Sequence, residues 1–150
     1  MQNLQLTTPR NNAEWHSFHS IREQVLWIAR GRIGEYNRNH ADDRKKGNYP
    51  KLLVLNNVPI GVMRIDFDEE AHEAIFRRVA ITEGEQRKGY GRKLMEMGER
   101  FAIGKGCSLF VANVALDAVP FYKKLGYAFE DGSSEDDPKN PRMFKIATSG

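Results

Sequence analysis

Glycine and basic residues cluster where an apolar run, residues 79–81, passes through a turn into a helical pattern. Gly89 and Gly91 have no Cβ, so a ligand can approach the backbone amides around them closely. The helix that follows would add about half a positive charge at its N-terminus, which favours an anion there. The sequence therefore predicts a cradle for a phosphate or a pyrophosphate at this turn.

Two well-known phosphate motifs are excluded by single residues. Gly84 and Gly89 have the spacing of a nucleotide P-loop, but the next two residues are Tyr and Gly instead of Lys and Ser/Thr. A dinucleotide fingerprint would need a third glycine, and Leu94 stands at that position. What remains is a Q-x-x-G-x-G pattern that runs from Gln86 to Gly91.

This pattern resembles the acyl-CoA signature Q/R-x-x-G-x-G/A of the GNAT-type N-acetyltransferases, which also lies between a strand and a helix. A second stretch, AVPFYKKLGY at residues 118–127, resembles the A-x-x-[FL]-Y-x-x-x-G-[FY] ending of the same family. The two matches occur in the family's order. Together with the predicted elements they extend the resemblance over nearly the whole chain, from the first helix to the last strand.

The resemblance implies an α/β (α+β) fold, the GNAT fold: a single domain over residues 1–150 in which a mixed, strongly twisted β-sheet is flanked by helices. Acetyl-CoA would lie where two central strands splay apart, with its pantetheine alongside the backbone of Val79 and Ile81. Tyr122 would be the catalytic residue that faces the sulfur. The pyrophosphate would be held by the turn formed by Gln86, Arg87, Lys88, Gly89, Tyr90, Gly91 and Arg92.

The resemblance leaves other site residues less well defined. The family's asparagine, seven residues before the tyrosine, is Ala115 here, so Asn113 either reaches CoA or satisfies local hydrogen bonds. Arg77 and Arg78 occupy the neighbourhood of the family's glutamate base. A strand amide near Ile81 is expected to receive the acyl oxygen. The candidate bases are three carboxylates of the nearby strands and turn: Asp66, Glu73 and Glu83.

The polar stretch of residues 35–43 follows the first predicted helix, where the family places one wall of the acceptor cleft. A cationic amine would be attracted to carboxylates at the mouth of that cleft. Asp42, Asp43 and Asp66 are predicted to supply this attraction, and a solvated loop is the alternative.

Hydrophobic periodicity predicts the elements that position these residues. A helix over residues 11–29 carries His16 and His19, which are expected on the surface because no third ligand completes a metal site. Residues 51–55 and 58–67 form a hairpin around two asparagines that favour positive φ. The remaining elements are a strand at 74–81, a helix that ends near residue 104 or 106, a buried strand at 107–111, a helix at 117–126, a loop at 130–138 and a strand at 143–146.

Composition narrows the class of protein. A chain of 150 residues with 40% hydrophobic residues is sufficient for one domain with a sizeable core. The net charge is only +3, and the charges of both signs are interspersed, which disfavours a nucleic-acid surface. Cys107 is the single cysteine, so an intramolecular disulfide is excluded. We expect a soluble, cytoplasmic protein with no nucleic-acid or membrane partner, and a homodimer stays open.

The function implied by the resemblance is an acetyl-CoA-dependent N-acetyltransferase. It would move the acetyl group directly to a primary amine of a small molecule or peptide, with acetyl-CoA as co-substrate and no metal. The alternative is a non-catalytic acyl-CoA-binding or sensing module, which Tyr122 disfavours and the missing base favours. A nucleic-acid or ribosome-associated binder is the third hypothesis, and the modest charge disfavours it.

Overall fold

The computed structural model describes residues 2–130 and 141–147 of the chain, so residues 131–138 of the predicted loop lie outside the described part. Within it, seven strands form one sheet in the order β1-β2-β3-β4-β5-β7-β6, with helices packed on both faces. The strands are β1 Leu4–Thr7, β2 Asn48–Leu55, β3 Val58–Asp68, β4 Glu73–Ile81, β5 Leu109–Asn113, β6 Ala128–Phe129 and β7 Arg142–Ile146. The helices are α1 Asn12–Arg22, α2 Tyr90–Gly104 and α3 Val119–Lys124.

The sheet is mixed, as the resemblance implied. Strands β1 to β4 pair antiparallel in chain order, β4 and β5 pair parallel, and β7 pairs antiparallel with both β5 and β6. A parallel pair needs a crossover connection, and α2 supplies it between β4 and β5. The predicted α/β class and its mixed sheet are therefore confirmed.

The hairpin between β2 and β3 forms where the sequence predicted it. Asn56 and Asn57 have φ values of 48° and 71°, the left-handed conformation that a two-residue hairpin turn requires. Strands β1 and β6 were not predicted from the sequence, and β5 begins and ends two residues later than the predicted strand at 107–111. β1 has four residues and β6 has two, so neither is long enough for a clear alternation of polar and apolar residues.

Two further helical segments follow the first helix without a break, one wound more loosely than an α-helix and one more tightly. A π-helical segment, Glu23–Trp27, follows α1 directly, and a 3₁₀ turn, Ile28–Arg30, follows that. Gly31 then ends the helical run with φ of 79°. Short π-helical stretches commonly mark functional sites, and this one brings the buried Trp27 beside the β4 strand.

Each face of the sheet has its own core. α2 and α3 cover one face, and Gly98 of α2 packs so closely that an added Cβ would lie 2.7 Å from Sδ of Met63. α1 covers the other face, where Phe18 and Ile21 meet residues of β2, β3 and β4. Helices therefore pack against the central strands β3 and β4 from both faces of the sheet.

The prediction of two surface histidines is half wrong. His16 is exposed, but His19 is only 7% exposed and lies among Trp15, Phe18 and Tyr36. The helical period that buries Phe18 also turns the next residue inward, because the polar stretch after α1 folds back over it. Cys107 is half-buried next to the core, and burial raises the pKa of its thiol.

None of the helices in the described residues is long and apolar enough to cross a membrane.

Candidate functional site

A cavity of about 500 Å³ opens between the central strands β4 and β5. Their parallel pairing stops at Phe76 and Ala112, yet β4 continues for five more residues to Ile81. Beyond this point Val114 donates its amide proton to Pro141, on the side away from β4. The two strands therefore diverge, and Val79 and Ile81 line the opening.

A bulge interrupts β4 at the wall of this opening. Val62 of β3 pairs with Ala80, whereas Arg64 pairs with Arg77, so two residues of β4 oppose one residue of β3. Arg78 is one of the two, and its φ is 56°. A bulge disrupts the ladder locally and leaves backbone groups unpaired. Backbone amides near residues 78 and 79 are thereby available to a ligand in the cavity.

The predicted phosphate turn joins β4 to α2. The side chain of Gln86 donates a hydrogen bond of 2.8 Å to the carbonyl oxygen of Ile81, which closes the turn on the strand it leaves. Gly89 precedes α2 with φ of 88°, and the amide of Lys93 is the first to bond back to it, at 3.2 Å. The preceding amides of a helix have no partner within the helix. The turn therefore presents free N–H groups at a helix N-terminus.

No acidic residue or side-chain cap neutralises this N-terminus within the described residues, so the helix dipole is left for an external anion. Lys88 and Arg92 are exposed and make local pairs with Glu85 and Glu96. The side chain of Tyr90 is buried and accepts a hydrogen bond from Gln2, so only its backbone belongs to the turn.

Tyr122 reaches the cavity because α2 and α3 pack tightly at Gly91. A Cβ at this glycine would lie 3.4 Å from the ring of Phe121, the neighbour of Tyr122. Tyr122 is 7% exposed and lines the cavity, and its hydroxyl makes no hydrogen bond to any other described residue. Burial raises the pKa of Tyr122 to about 12. The phenol is therefore protonated at neutral pH and free to donate.

A second cavity, of about 610 Å³, shares Phe76, Arg78 and Asn113 with the first. We call the first the acyl cavity and the second the acceptor cavity. Asn113 ends β5 at this shared wall, and its side chain makes no hydrogen bond to other described residues. The two cavities are therefore adjacent at this wall, and the side chain of Asn113 can contact a ligand in either.

All three predicted substrate carboxylates, Asp42, Asp43 and Asp66, line the acceptor cavity. Two of them are already engaged by guanidinium groups. Asp43 lies 2.8 Å from Arg22 and 2.9 Å from Arg64. Asp66 lies 2.7 Å from Arg64 and 2.8 Å from Arg77. The side chain of Asp42 is 48% exposed and lies 3.7 Å from His40.

The burial of Asp43 would raise the pKa of its carboxyl, but Arg22 and Arg64 outweigh that effect and lower the pKa. Asp43 is thus ionised and structural. Sequence reasoning missed Arg22 and Tyr36, which also line the acceptor cavity. An arginine on the apolar side of a helix was the available signal for Arg22, since such a charge must be paired when it is buried.

The candidate bases lie in different places. Glu73 pairs with Arg142 and Glu83 is exposed in the turn after β4, and neither lines one of the two cavities. Tyr36 does line the acceptor cavity, and its hydroxyl lies 2.5 Å from Nδ1 of His19. Burial lowers the pKa of His19, and the cations Arg22, Arg38 and Arg44 lower it further against the opposing effect of Asp43. No cluster of three potential metal ligands is present in the described residues.

Comparisons with known proteins identify the family and the fold. Residues 11–127 match the family model described as the Acetyltransferase (GNAT) family. The structure of Escherichia coli ElaA superposes with a TM-score of 0.79 over 97% of this chain and 99% of that one, at 17% identity. A spermidine N-acetyltransferase chimera built from Vibrio cholerae SpeG gives a TM-score of 0.75 over 96% and 95%, at 14% identity. At these identities the two structures show a shared fold.

A curated relative from Bacillus subtilis (strain 168), whose name gives acetyltransferase as an inferred function, is 29% identical over 86 residues. The match covers 57% of this chain, and the chain spans only 57% of that relative.

Proposed function

The chain belongs to the GNAT acetyltransferase family, and we propose that it transfers an acetyl group from acetyl-CoA directly to a primary amine. The carrying observation is the acyl cavity between β4 and β5. Gln86 and Gly91 of the phosphate turn line this cavity, and so do Phe76, Arg78 and Asn113 at the wall it shares with the acceptor cavity. An extended cofactor in this channel would place its thioester between an anion site and an amine site.

In this proposal the pyrophosphate binds the free amides of residues 87–92, and the pantetheine runs along the unpaired edge of Val79 and Ile81. Asn113 is available to the pantetheine because its side chain has no bond to other described residues. The splay of β4 and β5 supports this placement, since an extended ligand can hydrogen-bond to a strand edge as an added strand does. The residues fit acetyl-CoA without a metal ion.

Transfer requires attack of a neutral amine on the thioester carbonyl, so that a C–N bond forms and the C–S bond breaks. The carbonyl oxygen gains negative charge and needs a fixed donor. We assign this role to the amides of the β4 bulge at residues 78 and 79, because the bulge removes them from the ladder. The amide near Ile81, expected from the sequence, is the next along the same edge.

Tyr122 stabilises the departing sulfur. Burial raises the pKa of Tyr122 to about 12, so the phenol has little tendency to give up its proton to the thiolate. The hydroxyl therefore donates a hydrogen bond to the thiolate, which then takes its proton from solvent. The free hydroxyl in the cavity wall supports this role over a packing role.

The proton of the attacking amine also needs an acceptor. We assign it to the pair formed by Tyr36 and His19, since Tyr36 faces the acceptor cavity and the lowered pKa keeps His19 neutral. The amine proton would pass to the oxygen of Tyr36 while the hydroxyl proton passes to Nδ1 of His19. Asp66 is a weaker candidate because Arg64 and Arg77 already hold its carboxylate.

Two measurements test the function. Calorimetry should show acetyl-CoA binding, and thiol release should depend on an added amine from a panel of polyamines, amino acids and peptides. Spermidine belongs in that panel because a structural neighbour bears its name. Acetyl-CoA binding without thiol release from any amine would instead favour the sensing module. Absence of acetyl-CoA binding would rule out both.

A further inference from the structure

The acceptor cavity carries more positive than negative side chains. The described residues that line it include five Lys or Arg side chains and three carboxylates. A pocket for a purely cationic amine would be expected to show the opposite balance. The cations are Arg22, Lys45, Arg64, Arg77 and Arg78, and the carboxylates are Asp42, Asp43 and Asp66.

The pairing within this set occupies three of the five cations. Arg22, Arg64 and Arg77 share two carboxylates, those of Asp43 and Asp66. Nε and Nη2 of Arg22 and Oδ2 of Asp43 are buried and have no hydrogen-bond partner among the described residues, so unpaired donors and an unpaired acceptor occur within the same contact. The negatively charged oxygen atoms of a ligand would therefore be bound by a cation outside this group.

Arg78 is the arginine best placed to receive such oxygens. No carboxylate of the described residues lies within 4.0 Å of it, and its guanidinium carbon stands 4.8 Å from the centre of the Trp27 ring. A guanidinium over an aromatic face is fixed in orientation, with N–H groups at its edge. The side chain of Arg78 is exposed, so a ligand in the cavity can reach its guanidinium group.

The position of Arg78 argues against a role in binding the phosphates of CoA. Gln86 and Gly91 of the phosphate turn line the acyl cavity only, whereas Arg78 stands at the wall shared with the acceptor cavity. Between these two places the cofactor would present uncharged pantetheine. The bulge in β4, with the positive φ of Arg78, carries this side chain to the point where an amine would meet the thioester.

We propose that the acceptor is an amine that also bears a carboxylate close to the nitrogen, such as an amino acid, and that Arg78 binds that carboxylate. This inference rests on the proposed acetyl transfer. A planar carboxylate matches the paired N–H groups of a guanidinium and accepts two parallel hydrogen bonds from it. The half-exposed Asp42, on the wall of the same cavity, is available to attract the ammonium group of such a zwitterion.

The test compares matched acceptors. Each amino acid of a panel is assayed for thiol release beside its neutral amide and beside the amine that lacks the carboxylate. We expect kcat/KM to be about 10- to 100-fold higher for the acid than for its amide, the range for a charge-assisted hydrogen-bonded pair. Replacing the carboxylate by a neutral amide lowers the pKa of the amine and enlarges its neutral fraction. A preference for the acid over its amide would therefore oppose the trend in amine basicity.

Variants test whether Arg78 causes this preference. Arg78→Gln should remove most of the advantage of the acid over its amide, and Arg78→Lys should restore it only in part. Lys45→Gln, the matched control, removes the same charge from the same cavity, at an exposed side chain that makes no salt bridge with other described residues. It should change kcat/KM less than threefold for either acceptor. Acetyl-CoA affinity should be retained in all three variants.

Two results would overturn the inference while the proposed function stands. One is equal turnover of acids and amides. The other is an acid preference that survives Arg78→Gln, or that Lys45→Gln reduces equally. If no amine in the panel turns over, binding of the N-acetyl amino acids is measured by calorimetry in the presence of CoA. Failure of every such acid to bind better than its amide, in protein that binds acetyl-CoA, would also overturn it.

Discussion

Asp43 of the polar stretch after the first helix lies 2.8 Å from Nη1 of Arg22 on α1, with 3% and 2% of the two side chains exposed. A second guanidinium, that of Arg64, contacts the same carboxylate oxygen. These two salt bridges connect α1, the polar stretch and β3 at the wall of the acceptor cavity.

Asp43→Asn should therefore destabilise the protein. It would leave the buried guanidinium group of Arg22 without its carboxylate and Arg64 with Asp66 alone, and removal of one partner of a buried pair costs about 3–5 kcal/mol. Urea unfolding at pH 7 measures the loss. Asp42→Asn is the matched control at a half-exposed side chain, and it should change the free energy of unfolding by less than about 0.5 kcal/mol. Equal effects of the two substitutions would contradict the structural role of Asp43.

Asp42→Asn should instead raise KM for the acceptor amine while acetyl-CoA affinity is unchanged, because ground-state attraction is lost. The measurement belongs at low ionic strength, where such attraction is least screened. An unchanged KM would assign the side chain to the solvated surface alone.

Gly89→Asp should weaken acetyl-CoA binding by about 100-fold or more, since a carboxylate at the free helix N-terminus opposes the pyrophosphate. Calorimetry gives the affinity. Gly106→Asp is the control for backbone strain, because Gly106 also has positive φ, at 92°, and lies just beyond the other end of α2. If both substitutions weaken binding equally, the effect is one of stability and the cradle assignment fails.

Tyr122→Phe should lower kcat by ~10²–10³, the range for removal of one donor to a developing charge, and change acetyl-CoA affinity by less than about threefold, because the hydroxyl acts when the sulfur gains charge. Tyr127→Phe is the control: its hydroxyl donates to the buried Glu99 at 2.8 Å and is not part of the acyl cavity. That substitution should lower stability and leave kcat nearly unchanged. A Tyr122→Phe enzyme with intact kcat would make Tyr122 a packing residue.

Tyr36→Phe should lower kcat by at least ~10² if the hydroxyl relays the amine proton to His19. The acid limb of the kcat/KM profile should then reflect only the deprotonation of the acceptor amine, since His19 no longer takes part. Tyr49→Phe, on a tyrosine packed between Phe67 and Phe101, is the control and should be silent. A full-rate Tyr36→Phe enzyme would exclude the relay.

Stability should fall in acid because of His19. Its pKa is lowered in the folded state, first by burial. Above pH 6.5 the residue is neutral in both states and contributes no pH dependence. As the pH falls below 6.5, the unfolded chain binds a proton that the folded chain refuses until its lower pKa is reached. Stability is lost over that window, by at most about 1.4 kcal/mol per pH unit.

Thermal unfolding between pH 8 and pH 5 tests this point. His19→Gln should flatten the acid side of the curve, whereas the exposed His16→Gln should follow the original protein. An unchanged slope in His19→Gln would show that other groups cause the acid loss.

Local sequence was enough to predict much of this protein. The Asn56 and Asn57 hairpin, the Gln86 to Gly91 turn and the helix with Tyr122 each depend on residues close together in the chain. Backbone sterics and hydrogen bonds fix such features within a few residues. The resemblance built on them gave the family, and the model match over residues 11–127 confirms it.

The sequence could not reveal which charges meet. Arg22 and Asp43 are 21 residues apart, as are Asp43 and Arg64. Asp42 and Asp43 are adjacent in sequence, yet one is half-exposed and the other buried, because the 3₁₀ turn Ala41–Arg44 points them in different directions. The bulge that carries Arg78 to the shared wall arises from the register between β3 and β4. Long-range packing sets that register, and with it the surplus of positive charge in the acceptor cavity.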